Sequence, residues 1–130
     1  MTVEVKLSRA IEGKLDEIVR MAEGCVDTYR NEFEYLEESQ LRNVQNLSSA
    51  TESVLVLKNF IRYQIGRNKI PQSFGEQIIK DIEALGKQAE ELAENDPELH
   101  RQVRIELIRL YLGFLVRKFV AEKKSKEGRS

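Results

Sequence analysis

One histidine, one cysteine and twenty-two carboxylates are the side chains of this 130-residue chain with the means for catalysis or metal binding. Acid–base or metal chemistry at His100 needs a second titrating group beside it. The Glu-x-x-His spacing of carboxylate-bridged di-iron bundles would put a glutamate three residues before His100, where Pro97 stands. No glycine-rich phosphate loop, nucleophile elbow or Cys/His metal spacing occurs. Cys25 has no second cysteine to pair with, so it reads as a small buried hydrophobe, and a reducing cytoplasm is the expected location. The carboxylates follow the solvated faces of helical patterns. No catalytic residue, cofactor or metal site is expected.

The other charged groups are distributed unevenly. Gln40–Ile70 holds five basic residues (Arg42, Lys58, Arg62, Arg67 and Lys69) and one acid, Glu52, for a net charge of +4. Residues 1–39 carry 5 basic and 10 acidic side chains, and residues 71–100 carry 2 and 8. The formal net charge of −1 therefore hides a basic island in an acidic chain. Lys58 and Arg62 stand one helical turn apart, and Arg67 and Lys69 leave the same helix end. Such a stripe can meet successive phosphates of a nucleic-acid backbone, giving affinity without base readout. Basic residues also simply solvate helix faces or pair with neighbouring acids. The basic end of the chain, which includes Arg117, Lys118, Lys123, Lys124, Lys126 and Arg129, extends the stripe if the helices carrying the two pack side by side. Tyr63 is the one aromatic platform within the island for a stacked base.

These residues have to be positioned by helices. Two prolines, seven glycines and apolar spacings of three and four predict a compact all-α single-domain bundle of about five helices over residues 1–124, with a disordered tail at 125–130. The stripe Leu7, Ile11, Leu15, Ile18, Ala22, Val26, Tyr29, Phe33, Leu36 predicts one helix, or two with a break near Gly24. Ser39 is expected to cap a short helix with Leu41, Val44 and Leu47 inward, ended by a turn in the polar run 46–51. A helix over about 51–66 follows, capped by Ser49 or Thr51 and closed by Gly66. Pro71 and a Ser73/Glu76 capping box open the next pattern, and Asn95-Asp96-Pro97 stops it. Asp96 should cap a last helix that runs to about Lys123. That helix is apolar on nearly all sides, so it is either central to a bundle or shared with a second subunit. No apolar run approaches the length that crosses a bilayer.

Taken in order, Gln40-Leu41-Arg42, the run Phe60-Ile61-Arg62-Tyr63, the Gly66-Arg67 ending and the aromatic-rich final helix from Leu110 to Phe119 resemble the small helical subunit of type III-A CRISPR interference (Csm) complexes. The resemblance covers about residues 40–122 and leaves the acidic segment 1–39 unmatched. It implies a non-catalytic, all-helical protein that stacks in several copies beside other Csm subunits. It also implies a basic face towards the guide RNA and target RNA backbone, with Arg42, Lys58, Arg62 and Arg67 in contact. Lys69, Arg117 and Lys118 join them on charge alone. The competing expectation is a helical adaptor that self-associates through its last helix and binds no nucleic acid.

Overall fold

The computed structural model of the protein describes residues 2–128, with the backbone alone for Val3 and residues 126–128. Among the described residues there are six α-helices and no strand: α1 (Val3–Glu12), α2 (Leu15–Tyr29), α3 (Glu38–Ala50), α4 (Val54–Gly66), α5 (Gln72–Ala93) and α6 (Pro97–Gly128). A single 3-10 turn, Arg30–Glu32, follows α2. The all-α reading holds, and the helix beyond the expected five comes from a break in the first apolar pattern.

That break falls at Gly13, not at Gly24. At Gly13 the chain tightens, with Lys14 N–H donating to the Ile11 carbonyl three residues back at 2.9 Å. Gly24 lies within α2 and nothing approaches within 4 Å of where its Cβ would be. Buried Ala22, Cys25 and Val26 on either side of it hold the helix against the core, which outweighs the weak helix preference of one exposed glycine.

Several caps differ from expectation for similar reasons. Helix α3 starts two residues early, at Glu38, without a side-chain cap, and continues through the polar run to Ala50. There Ser48 is buried and its hydroxyl donates to the Gln45 carbonyl at 2.6 Å, while the Ser48 carbonyl accepts from Arg109 of α6 at 2.7 Å. Helix α4 is capped by Ser53, whose hydroxyl accepts from the Val56 N–H at 3.2 Å. Its exit turns at Asn68, with φ +61°, and Gly66 keeps a negative φ. Helix α5 starts at Gln72 behind Pro71, so Ser73 is already helical and the capping box does not form. Asp96 does cap α6, accepting from the Leu99 N–H at 3.1 Å. Helix α6 continues through Gly128, past the expected end and into the segment read as a tail; Arg129 and Ser130 lie outside the described residues, as does the side chain of Lys126.

Helix α6 is the axis of the bundle, packed by α1, α2, α3 and α5. Most of its apolar side chains are covered by this chain itself: Val103, Leu107, Ile108, Tyr111, Leu112, Leu115 and Phe119 are all at most 1% exposed, while Leu110 and Phe114 are half-buried. Of the two options for a helix apolar all round, the central one is realised. The acidic segment is part of the same core, since Ile18, Ala22, Cys25 and Val26 of α2 are buried in it. Phe33 follows the 3-10 turn into the interior, edge-on to Phe74 at 4.7 Å and to Phe119 at 5.3 Å. Helix α4 sits on the outside, packed on α3 and α5.

Candidate nucleic-acid interface

The basic island is distributed over α3, α4 and the α4–α5 turn. Helix α4, VLVLKNFIRYQIG, has no acidic residue. Its inward face buries Leu57, Ile61 and Gln64, which fixes the outward direction of the rest. Arg62 is exposed, and no ion pair is recorded for it among the described residues. It overlooks a shallow cleft shared with Glu76, Ile79, Lys80 and Glu83 of α5. Arg67 is exposed as well; its guanidinium stands 5.2 Å from the Tyr63 ring centroid, and Nη1 donates to Gln64 Oε1 at 3.5 Å. Lys69 is exposed because the turn draws its neighbour Ile70 into the core, with both backbone N–H groups donating to the Gln64 carbonyl.

The rest of the island is paired, contrary to a reading that found almost no acid near it. Lys58 lies 3.2 Å from Glu83 of α5, and only 17% of its side chain is exposed. It faces α5 instead of standing free beside Arg62. Arg42 pairs with Glu38 one turn earlier on α3. Sequence proximity missed the first pair because Glu83 is 25 residues away along the chain. The second was legible at i, i+4 but fell across the boundary of the segment counted.

Helix α6 holds its basic residues in contacts of their own. Its basic end lies along α2, where Lys118 approaches Asp27 at 3.6 Å and Glu122 at 3.3 Å. Hydrogen bonding to Glu122, with Asp27 nearby, holds the Lys118 ammonium above its ordinary range. Arg117 is exposed and stands over the Phe114 ring at 5.9 Å. The Lys123 ammonium donates to the Leu36 carbonyl at 2.7 Å, which fastens the loop after α2 to α6. The structure thus groups Arg62, Arg67 and Lys69 at one end of α4, and Lys123 of α6 reaches the same neighbourhood, since Leu36, whose carbonyl it meets, lines a cleft with Lys69.

Two features escaped the sequence reading. Leu55 (77% exposed), Val56 (45%) and Tyr63 (55%) lie outward on α4 beside the arginines. A helical wheel could have shown this, since Leu55 and Val56 fall opposite Leu57, Ile61 and Gln64. The second is a polar cluster inside the core. Tyr111 Oη donates to Asp81 Oδ2 at 2.5 Å, and Gln77 Nε2 donates to Asp81 Oδ1 at 2.9 Å. Burial raises the Asp81 carboxyl above its ordinary value, partly offset by these two donors. The Cys25 thiol, buried against the same tyrosine, is pushed up to about 12, chiefly by desolvation. A helical wheel could have found it, since Asp81 stands three residues after Ile78 and four before Leu85, on the apolar stripe of α5 and away from that helix's exposed acids.

His100 sits at the start of α6, half-buried, with Nε2 3.4 Å from the Gly86 carbonyl. Among the described residues no group of three or more His, Cys, Asp or Glu is placed to hold a metal ion. No helix among them is long and apolar enough to cross a membrane. No protein-family model, curated protein or solved structure matches the chain.

Proposed function

We propose that this chain is a non-catalytic, RNA-binding small subunit of a type III-A CRISPR (Csm) ribonucleoprotein of the cytoplasm. It contacts the guide RNA and target RNA backbone through the end of α4. The observation that carries the reading is the acid-free helix α4, with exposed Arg62, Arg67 and Lys69 at its exit. The motif resemblance over residues 40–122 supplies the assembly. Three cations within about two helical turns can replace condensed counterions on successive phosphates, which gives weak binding that falls steeply with salt. Tyr63, half-exposed beside Arg67, can add stacking to backbone contact. Lys58 and Arg42 take a lesser part, because an ion pair already neutralises each. Arg117, which is exposed, and Lys118, which is paired with Asp27 and Glu122, take a secondary part.

The test is fluorescence anisotropy with single-stranded RNA of mixed sequence and increasing length. Arg62→Glu with Arg67→Glu should weaken binding about tenfold or more at low salt and flatten its salt dependence, leaving the helical circular dichroism unchanged. Unchanged RNA affinity in that double variant would remove the reading.

The adaptor reading keeps one specific support, the exposed Leu55, Val56 and Tyr63. The last helix serves it less, because most of its apolar side chains are buried inside its own chain.

A further inference from the structure

Among the described residues only five large apolar or aromatic side chains are exposed, and three of them, Leu55, Val56 and Tyr63, share the outward face of α4. Single exposed hydrophobes need no explanation, but a clustered face does. Leu55, Val56, Asn59, Arg62 and Tyr63 are all exposed, and their spacing (i, i+1, i+4, i+7, i+8) is that of a helix–helix seam. Leu57, Ile61 and Gln64 turn the opposite way into the bundle. Helix α4 therefore has two faces fit for packing, and this chain covers one.

We propose that the outward face of α4 docks on α4 of a second copy of this chain, antiparallel about a two-fold axis at Asn59. In that register Leu55 lies opposite the partner's Tyr63, Val56 opposite the partner's Arg62, and Asn59 opposite its own counterpart. Every contact then occurs twice, as an isologous interface requires. The charges select the direction. A parallel pairing would set Arg62 on Arg62 and Arg67 on Arg67. The antiparallel one brings Arg67, at the end of α4, beside the partner's Glu52, which precedes the Ser53 cap and has 55% of its side chain exposed despite lying 3.5 Å from Arg101. The central Asn59 amide can donate to and accept from its symmetry mate, the way a polar residue in an apolar seam fixes register. A phosphate backbone, by contrast, finds no partner in Leu55 or Val56.

The face is small. Thirteen helical residues span roughly 20 Å, and a strip about 10 Å wide falls well short of the roughly 800 Å² per partner of a standard interface. The dimer is accordingly weak, with a Kd of roughly 10 μM to 1 mM. It would cover Arg62 and Arg67, so an α4-paired molecule could not present them to any other ligand.

Sedimentation of the full chain from about 10 μM to 1 mM should show a monomer–dimer equilibrium. Leu55→Asp should abolish it, since position 55 is exposed and the monomer fold does not need it. Glu52→Arg should weaken association, and Glu52→Arg combined with Arg67→Glu should restore it. Asn59→Cys should form a disulfide-linked dimer on mild oxidation, faster than a control Ser8→Cys on the exposed side of α1, while buried Cys25 stays out of the reaction. A chain that remains monomeric throughout, dimerises equally well with Leu55→Asp, or cross-links no faster at position 59 than at 8 overturns the proposal. So does a Leu55→Asp variant that loses RNA affinity as a monomer with sedimentation unchanged, which would give the face to nucleic acid.

Discussion

Asp81 is the one buried carboxylate among the described residues. It is 8% exposed on a helix whose other acids are solvated, and two neutral donors, Tyr111 and Gln77, satisfy its two oxygens. Desolvation outweighs those donors, so its pKa in the folded state lies above the unfolded value. For a carboxyl shifted upwards, the stabilising contribution is complete below the unfolded pKa and is lost as pH rises through the folded one. The comparison of Asp81→Asn with wild type should therefore move in favour of the variant as pH increases from about 4 towards 7, by about 1.4 kcal/mol for each unit by which folding raises the pKa. Urea titrations at several pH values measure this, and a difference independent of pH would contradict it. The same variant compared at one pH would not separate ionisation from shape.

Glycine shows at the element scale why composition alone misplaces helix breaks. Gly24 is exposed, helical and free of neighbours, whereas Gly75 on α5 lies where an added Cβ would stand 2.6 Å from Ile65 Cδ1 and 3.2 Å from Ile70 Cγ2. Gly24→Ala should raise stability by about 0.5–1 kcal/mol, because alanine has less unfolded-state freedom to lose. Gly75→Ala should lower it by about 1–3 kcal/mol, because Ile65 must move out of the α4–α5 contact. Thermal unfolding followed by circular dichroism distinguishes them, and two changes of equal sign would show that the close approach of α4 to α5 is misjudged. Helix α4 depends on that approach, since it packs outside the central layer and holds its arginines outward only while α3 and α5 support it.

At the scale of the molecule, α6 is the common neighbour of α1, α2, α3 and α5, so damage to its buried face should unfold the bundle as a unit. Phe119 is fully buried against Phe33. Phe119→Ala should cost about 3–5 kcal/mol in transfer and cavity terms. The loss should appear in one cooperative transition common to secondary-structure and tyrosine probes. Separate transitions would mean that the N-terminal helices fold apart from the rest. With most of α6 covered, the larger group of exposed apolar side chains among the described residues lies on α4.

The helical class, the all-round apolar character of α6 and the Asp96-Pro97 boundary were all legible, because 3.6-residue periodicity and local capping chemistry involve residues only a few positions apart. So was the acid-free character of α4. Sequence by itself also determined that Arg62, Arg67 and Lys69 share one helix end. Tertiary structure alone decided that Lys58 turns to Glu83 and that Lys118 turns to Asp27. It alone decided that Tyr111 meets Asp81 on the apolar stripe of α5. The physical reason is range. Periodicity and caps are set within a few residues of the chain, whereas an ion pair or a desolvated carboxyl depends on which helix arrives opposite, and that follows from packing the whole core.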